Sequence, residues 1–218
     1  MNKQKNDWYY KEDRPEMLKY VPLSSKKILD IGCGEGLFAK ALISVDREVW
    51  GVELDSVAAK RAEQVLFRVL GGAIEDVMKD LPDQYFDLII FNDVLEHLID
   101  PYGVIFSIKE KLTKSGMILS SIPNLRYGKV LFNFLYKKDF TYTVFGILDI
   151  THMRFFTIRT MKDMFTNAGY KIRLMEGIHQ STSPKAFAFS LMLTILTLTN
   201  CIDILYPQFV ILADKKNI

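Results

Sequence analysis

The stretch Lys27-Ile28-Leu29-Asp30-Ile31-Gly32-Cys33-Gly34-Glu35-Gly36 decides the fold. A short apolar run ends in three glycines at alternate positions, and an amphipathic run, Leu37-Phe38-Ala39-Lys40-Ala41-Leu42-Ile43, follows at once. This is the pattern of a buried strand, a tight turn and a helix start. Glycine lets the backbone take positive φ and approach a ligand closely. A dinucleotide fingerprint, G-x-G-x-x-G, would put its third glycine where Leu37 stands. The spacing here is G-x-G-x-G, and an acid, Asp30, stands two positions before the first glycine. That acid sits badly beside a pyrophosphate and well beside a cationic ligand.

Outward from this stretch, strands and helices alternate, which predicts an α/β domain. The expected architecture is Rossmann-like, with a seven-stranded, mostly parallel sheet, helices on both faces and a helical lid insertion. An N-terminal helix is expected over Asp7–Tyr20. Strands are expected over Lys27–Ile31, Glu48–Glu53, Gly72–Glu75, Tyr85–Phe91, Gly116–Ile122, Lys171–Glu176 and Pro207–Ala213. Helices are expected over Gly36–Val45, from an Asp55-Ser56 cap to about Leu70, from Asp100-Pro101 to Leu112, and over Thr157–Ala168 with Thr157 as cap. Asn124–Ile150 interrupts the alternation. It carries Tyr127, Phe132, Phe134, Tyr136, Phe140, Tyr142 and Phe145, and reads as a small helical cap or lid. No repeat or linker divides the chain, so one domain is expected over residues 1–218.

Composition agrees with that class. The chain has 218 residues, 49% of them hydrophobic and 25% charged, enough for one sizeable core. A net charge of +2 makes no electrostatic case for nucleic acid. Cys33 and Cys201 are the two cysteines, with no C-x-x-C pairing, so neither a zinc site nor a disulfide framework is expected. The polar N-terminus has no signal-peptide core, and a cytoplasmic protein is expected. An apolar helix is expected over 183–202, charge-free from Ala186 to Ile202 and short of the roughly 20 residues of a spanning helix. Ser190, Thr194, Thr197 and Cys201 fall on one face of it. Two readings stand: a half-buried helix of the domain, or a helix that makes peripheral membrane contact through 186–202 or receives a lipid-like substrate.

Three segments carry a family resemblance. The glycine loop resembles the cofactor loop of class I S-adenosylmethionine (SAM) methyltransferases. Phe86-Asp87-Leu88-Ile89-Ile90-Phe91-Asn92-Asp93-Val94-Leu95-Glu96-His97-Leu98 is similar to the family's fourth strand and the Leu-Glu-His-Leu loop of many small-molecule members. Asp149-Ile150-Thr151-His152-Met153-Arg154-Phe155-Phe156-Thr157 resembles a segment of a bacterial, glycan-associated branch. The resemblance implies that Asp30, Gly32, Cys33 and Gly34 hold the amino-acid end of SAM. Glu53, at the end of the second strand, would accept the ribose hydroxyls, a role that an acid there also plays in NAD enzymes. Leu54 would pack on the adenine, and Ile74, Glu75 or Asp76 would meet its edge. Asn92 and Asp93 would lie near the methionine end. His97 and His152 are candidate bases, since imidazole titrates near neutrality; Arg154 is a candidate substrate ligand. Tyr9-Tyr10 and Arg14 look like part of a helix that closes over the cofactor.

The function so implied is SAM-dependent methyl transfer to a small-molecule or glycan acceptor. An NAD-dependent oxidoreductase is the alternative enzyme, and a non-catalytic SAM-binding protein the alternative from another class. A sulfonium carries its own activated methyl. No metal-ligand spacing stands out in the sequence, so no metal is expected.

Overall fold

A computed structural model of the chain describes residues 13–216. Tyr9, Tyr10 and the start of the expected Asp7–Tyr20 helix lie outside the described residues; Pro15–Tyr20 is a 3-10 helix. The strands are β1 (Lys27–Ile31), β2 (Glu48–Glu53), β3 (Arg68–Gly71), β4 (Phe86–Asn92), β5 (Leu112–Pro123), β6 (Tyr170–Ile178) and β7 (Gln208–Lys215). They form one seven-stranded sheet in the order β3-β2-β1-β4-β5-β7-β6. All pairs are parallel except those of β7, which runs antiparallel to β5 and β6. β1 pairs with β2 on one side and β4 on the other, so the connections reverse direction there. Ligands of open α/β sheets sit beyond the carboxyl ends of strands at such a reversal.

The central strands are apolar on both faces because both are covered. Leu29, Ile31, Ile89, Phe91, Ile118 and Ile122 point into one core, Ile28, Leu88, Ile90, Met117 and Leu119 into the other. α3 (Ile74–Val77), α4 (Pro101–Ser107) and α6 (Ile158–Asn167) contribute Ile74, Val104, Ile105, Met161, Met164 and Phe165 to the first core. α1 (Leu37–Lys40) and α2 (Ser56–Ala62) contribute Phe38, Ala39 and Ala62 to the second. The Asp55 carboxylate caps α2 by accepting from Val57 and Ala58, and Thr157 and Thr160 form a reciprocal capping box on α6.

Several boundaries differ from the sequence expectation. The third strand is Arg68–Gly71, not Gly72–Glu75. α2 stops early because Leu66 turns into the core and the Phe67 amide hydrogen bonds to Val49 O, which starts the edge strand. Gly72, at φ 140°, then turns the chain into α3, so Ile74 and Glu75 are helical. α1 is a single turn where Gly36–Val45 was expected. Its end tightens into i→i−3 bonds at Ala41 and Leu42 before the Ser44–Arg47 bridge.

The aromatic insertion is helical only over α5 (Gly128–Tyr136); the remainder to Ile150 is irregular, with a Thr143–Asp149 bridge. The apolar helix α7 spans Pro184–Thr197, and Leu198 ends it in the left-handed region. Cys201 therefore lies outside it. The chain folds back so that Ser190 Oγ donates to Cys201 O (2.8 Å) and the Cys201 amide donates to Thr194 Oγ1 (3.1 Å). The small polar stripe of α7 thus receives its own chain. Phe187, Leu191, Met192, Ile195 and Leu196 stay exposed on the rest of the helix. No helix of the described residues is long and apolar enough to cross a membrane.

Candidate active site

A cavity of about 1400 Å³ opens at the carboxyl ends of β1, β2 and β4. Its lining joins the glycine loop, Glu53, Leu54, Ile74, Glu75 and Asn92 to Glu96, His97 and His152, and includes Phe145, Gly146, Ile147 and Asp149 of the insertion.

The glycine loop is built by its backbone. Gly32, Gly34 and Gly36 have φ of 72°, 56° and 82°, values that glycine adopts without a Cβ penalty. The Gly32 and Cys33 amides both donate to Val52 O, at 2.8 and 3.2 Å, which latches the loop onto β2. A Cβ on Gly32 would stand 2.6 Å from Val94 Cγ2. The Cys33 thiol packs beneath the loop against Gly51, so only the residue's backbone is offered to a ligand. Burial, and then the Asp30 and Glu53 charges, push that thiol well above its ordinary range.

Two acids lie under this loop. Asp30 is 2% exposed; desolvation first, and the Glu53 charge second, raise its pKa to about 8. Such a carboxyl regains its charge when a cation arrives, as the ammonium and sulfonium of SAM would. Glu53 accepts from the Gly34 amide through Oε2 (2.8 Å) and from the Asp55 amide through Oε1 (2.9 Å). Each carboxylate oxygen keeps a second lone pair for a ribose hydroxyl. Burial raises the Glu53 pKa against the lowering effect of those amides. At the end of β4, the Asn92 side-chain amide is buried with neither its oxygen nor its nitrogen hydrogen-bonded. Buried amides of this kind call for a partner, and a polar amino-acid moiety in the cavity supplies one. The residues therefore fit SAM. Leu54, largely exposed at the cavity wall, and Ile74 and Glu75 of α3 form the side where an adenine would lie.

The far side is a polar cluster closed by the insertion. His97 ends the Leu95–His97 turn after β4, and His152 follows the insertion; their rings meet edge to face at 4.7 Å. His97 Nδ1 lies 3.2 Å from Thr151 O, and His152 Nδ1 lies 2.9 Å from Ile147 O. A carbonyl only accepts, so Nδ1 carries a proton in both rings; the Thr151 hydroxyl lies at the same 3.2 Å from His97 Nδ1. Glu96, 1% exposed, stands with Oε1 3.9 Å from His152 Nε2. Its backbone carbonyl accepts from the Met153 and Arg154 amides (2.8 and 3.0 Å), which ties the β4 loop to the segment after the insertion.

Arg154 does not line this cavity. Its guanidinium donates to Met153 O and Ile99 O at an exposed position. Arg14 does line it, pairing with Asp93 and donating to Ser121 Oγ and Gln208 Oε1 at 3.3 Å each. Glu96 and Gln208 are the site residues that sequence reading missed. An acid next to His97 in Leu95-Glu96-His97-Leu98 was a usable signal for Glu96; for Gln208, at the start of the last strand, there was none.

Comparisons with known proteins give the family and the fold. The ubiquinone biosynthesis O-methyltransferase of Thiobacillus denitrificans is 32% identical over 124 residues, 52% of this chain and 53% of that protein. The mitochondrial enzyme of the same name from Schizosaccharomyces pombe is 33% identical over 116 residues, 50% of this chain and 42% of that protein. The chain thus spans about half the length of the curated relatives it matches. A crystal structure of a SAM-dependent methyltransferase from Archaeoglobus fulgidus superposes with a TM-score of 0.68 at 22% identity, covering 92% of this chain and 91% of that one, and so shares the fold. The family model described as "Methyltransferase domain" matches residues 5–174, from before the glycine loop into β6. A match of that extent settles the lineage: this chain belongs to the methyltransferase-domain family of class I SAM-dependent methyltransferases, with SAM as its cofactor.

Proposed function

We propose that the chain transfers the methyl group of SAM to a hydroxyl of a small-molecule or glycan acceptor. The observation that carries this reading is one cavity with two chemically distinct ends. The glycine loop, Asp30, Glu53 and Asn92 suit the cofactor; Glu96, His97 and His152 suit an acceptor that must shed a proton. SAM supplies an activated methyl on sulfur. The chain's own work is to align the acceptor oxygen in line with that methyl, exclude water beneath residues 145–149, and manage one proton. The names of the matched relatives, O-methyltransferases of ubiquinone biosynthesis, support an oxygen nucleophile. The insertion 124–150 acts as the lid over the acceptor, and the cytoplasm is the compartment that suits the reading.

The test pairs SAM calorimetry with release of S-adenosylhomocysteine over a panel of phenols, catechols and sugars. Absence of SAM binding sinks the reading. Binding without turnover on any acceptor favours the alternative, a non-catalytic SAM-binding protein.

We also propose that the exposed apolar faces of α5 and α7 rest on an anionic lipid surface. The two helices pack together, with Phe132 and Phe189 edge to face at 6.3 Å. Lys129, Lys137, Lys138 and Lys185, all exposed, belong to them or to the turn after α5. A basic border around an apolar face is what an interfacial helix pair needs.

A further inference from the structure

We infer that Glu96, His97 and His152 form a binding site for a single divalent transition-metal ion of the Mn²⁺, Fe²⁺, Co²⁺ or Zn²⁺ type. One donor atom from each of the three lies within 4.8 Å of the other two. Donors about 2.0–2.2 Å from an ion stand at most about 4.4 Å apart. The Glu96–His152 pair already meets that at 3.9 Å.

The orientation of the rings is the second observation. Metal-bound imidazoles characteristically donate their other N–H to a backbone carbonyl or carboxylate, which fixes the tautomer and aims the lone pair. Both rings do this here, His97 to Thr151 O and His152 to Ile147 O. Thr151 is in turn held by Asp149, which accepts from its amide (2.7 Å) and its hydroxyl (2.6 Å). Two neutral imidazoles and one carboxylate form a set that suits first-row transition metals; Mg²⁺ and Ca²⁺ prefer oxygen ligands alone. All three residues line the cavity.

The role of the ion rests on the methyltransferase reading. An acceptor hydroxyl bound to it loses its proton to solvent at lower pH. The oxygen then forms its bond to the methyl carbon as the carbon–sulfur bond breaks, and the electron pair of that bond goes to sulfur, leaving S-adenosylhomocysteine.

The experiment titrates the EDTA-treated full chain, saturated with S-adenosylhomocysteine, with Zn²⁺ and Mn²⁺ by calorimetry and with Co²⁺ by visible absorption. The expected result is one equivalent per chain and a Co²⁺ spectrum of nitrogen–oxygen ligation, with affinity falling at least tenfold in Glu96→Gln and in His152→Ala. S-adenosylhomocysteine affinity reports whether each variant is folded; His97→Gln serves if His152→Ala is not. Absence of stoichiometric binding, or binding that folded variants leave unchanged, overturns the inference. So does full methyl transfer by the metal-free protein, an outcome that leaves the proposed function standing. Metal bound at these residues with no acceptor ever methylated has the opposite meaning: the site stands and the proposed function fails.

Discussion

The backbone amide of Gly34 donates to the carboxylate of Glu53 at 2.8 Å, joining the glycine loop of β1 to the end of β2. The second Glu53 oxygen accepts from Asp55 at 2.9 Å, so one side chain fixes both the loop and the start of α2. Glu53→Gln would replace one accepting oxygen by an N–H₂ group facing an amide donor. Charge-assisted hydrogen bonds contribute about 1.5–3 kcal/mol. We expect SAM affinity to fall about tenfold, with a small drop in thermal midpoint. Calorimetry checks it; a change below about twofold, roughly 0.4 kcal/mol, would show that Glu53 does not hold the ribose.

Gly32 bears two constraints that Gly32→Ala separates. Its φ of 72° costs an L-residue about 1–2 kcal/mol, and the new Cβ would sit 2.6 Å from Val94 Cγ2. The single variant should bind SAM at least tenfold more weakly. Adding Val94→Ala removes the contact and leaves the backbone strain, so only part of the loss should return. Full recovery in the double variant would mean that the backbone conformation is immaterial.

Asp30 makes stability depend on pH in a predictable direction. Its folded pKa, about 8, lies above the ordinary 3.8, so between these values the folded state holds a proton that the unfolded chain has released. Stability from this group is full below about pH 4 and is lost as pH rises toward 8. The advantage of wild type over Asp30→Asn in urea unfolding should therefore shrink across that window. Saturating SAM, which favours the ionised carboxylate, should flatten the trend and release a proton on binding. A stability difference independent of pH from 4 to 8 would show that Asp30 is ionised throughout.

What the sequence made legible follows from range. β1, β4 and the glycine loop were readable because burial on both faces leaves a continuous apolar run, and three glycines in alternation have few other uses. β3 was not, because Arg68-Val69-Leu70-Gly71 is a half-buried edge strand whose alternation is too short to stand out. The cofactor side of the cavity is local: Asp30, Gly32, Gly34, Glu53 and Asn92 all end or follow strands. The other side is not. His152 meets Glu96 only because the insertion returns the chain to the β4 loop, a proximity that spacing along the chain does not show. Arg154, next but one to His152, lies outside the cavity because its guanidinium is held by the carbonyls of Met153 and Ile99 at an exposed position.

The insertion should be less protected than the sheet until the site is filled. Residues 137–150 have little regular structure, whereas Ile147 O and Asp149 hold the histidine side of the cavity. Amide exchange in the ligand-free chain should be faster there than in β4 and β5, and should slow when SAM and an acceptor are present. Protection equal to that of the core strands without ligand would argue for a fixed wall instead of a lid.

The exposed face of α7 gives the test of membrane contact. Leu191 and Ile195, 53% and 65% exposed, lie one turn apart, so Leu191→Asp with Ile195→Asp puts two charges on the apolar face and disturbs no core. Wild type should sediment with phosphatidylglycerol vesicles and not with phosphatidylcholine, because the lysines of α5 and α7 need an anionic partner. Salt should weaken the binding, since it screens those charges. The double variant should remain in the supernatant with SAM affinity unchanged. If wild type ignores anionic vesicles, or if the variant still binds them, this helix face has another occupant and the lipid surface is ruled out.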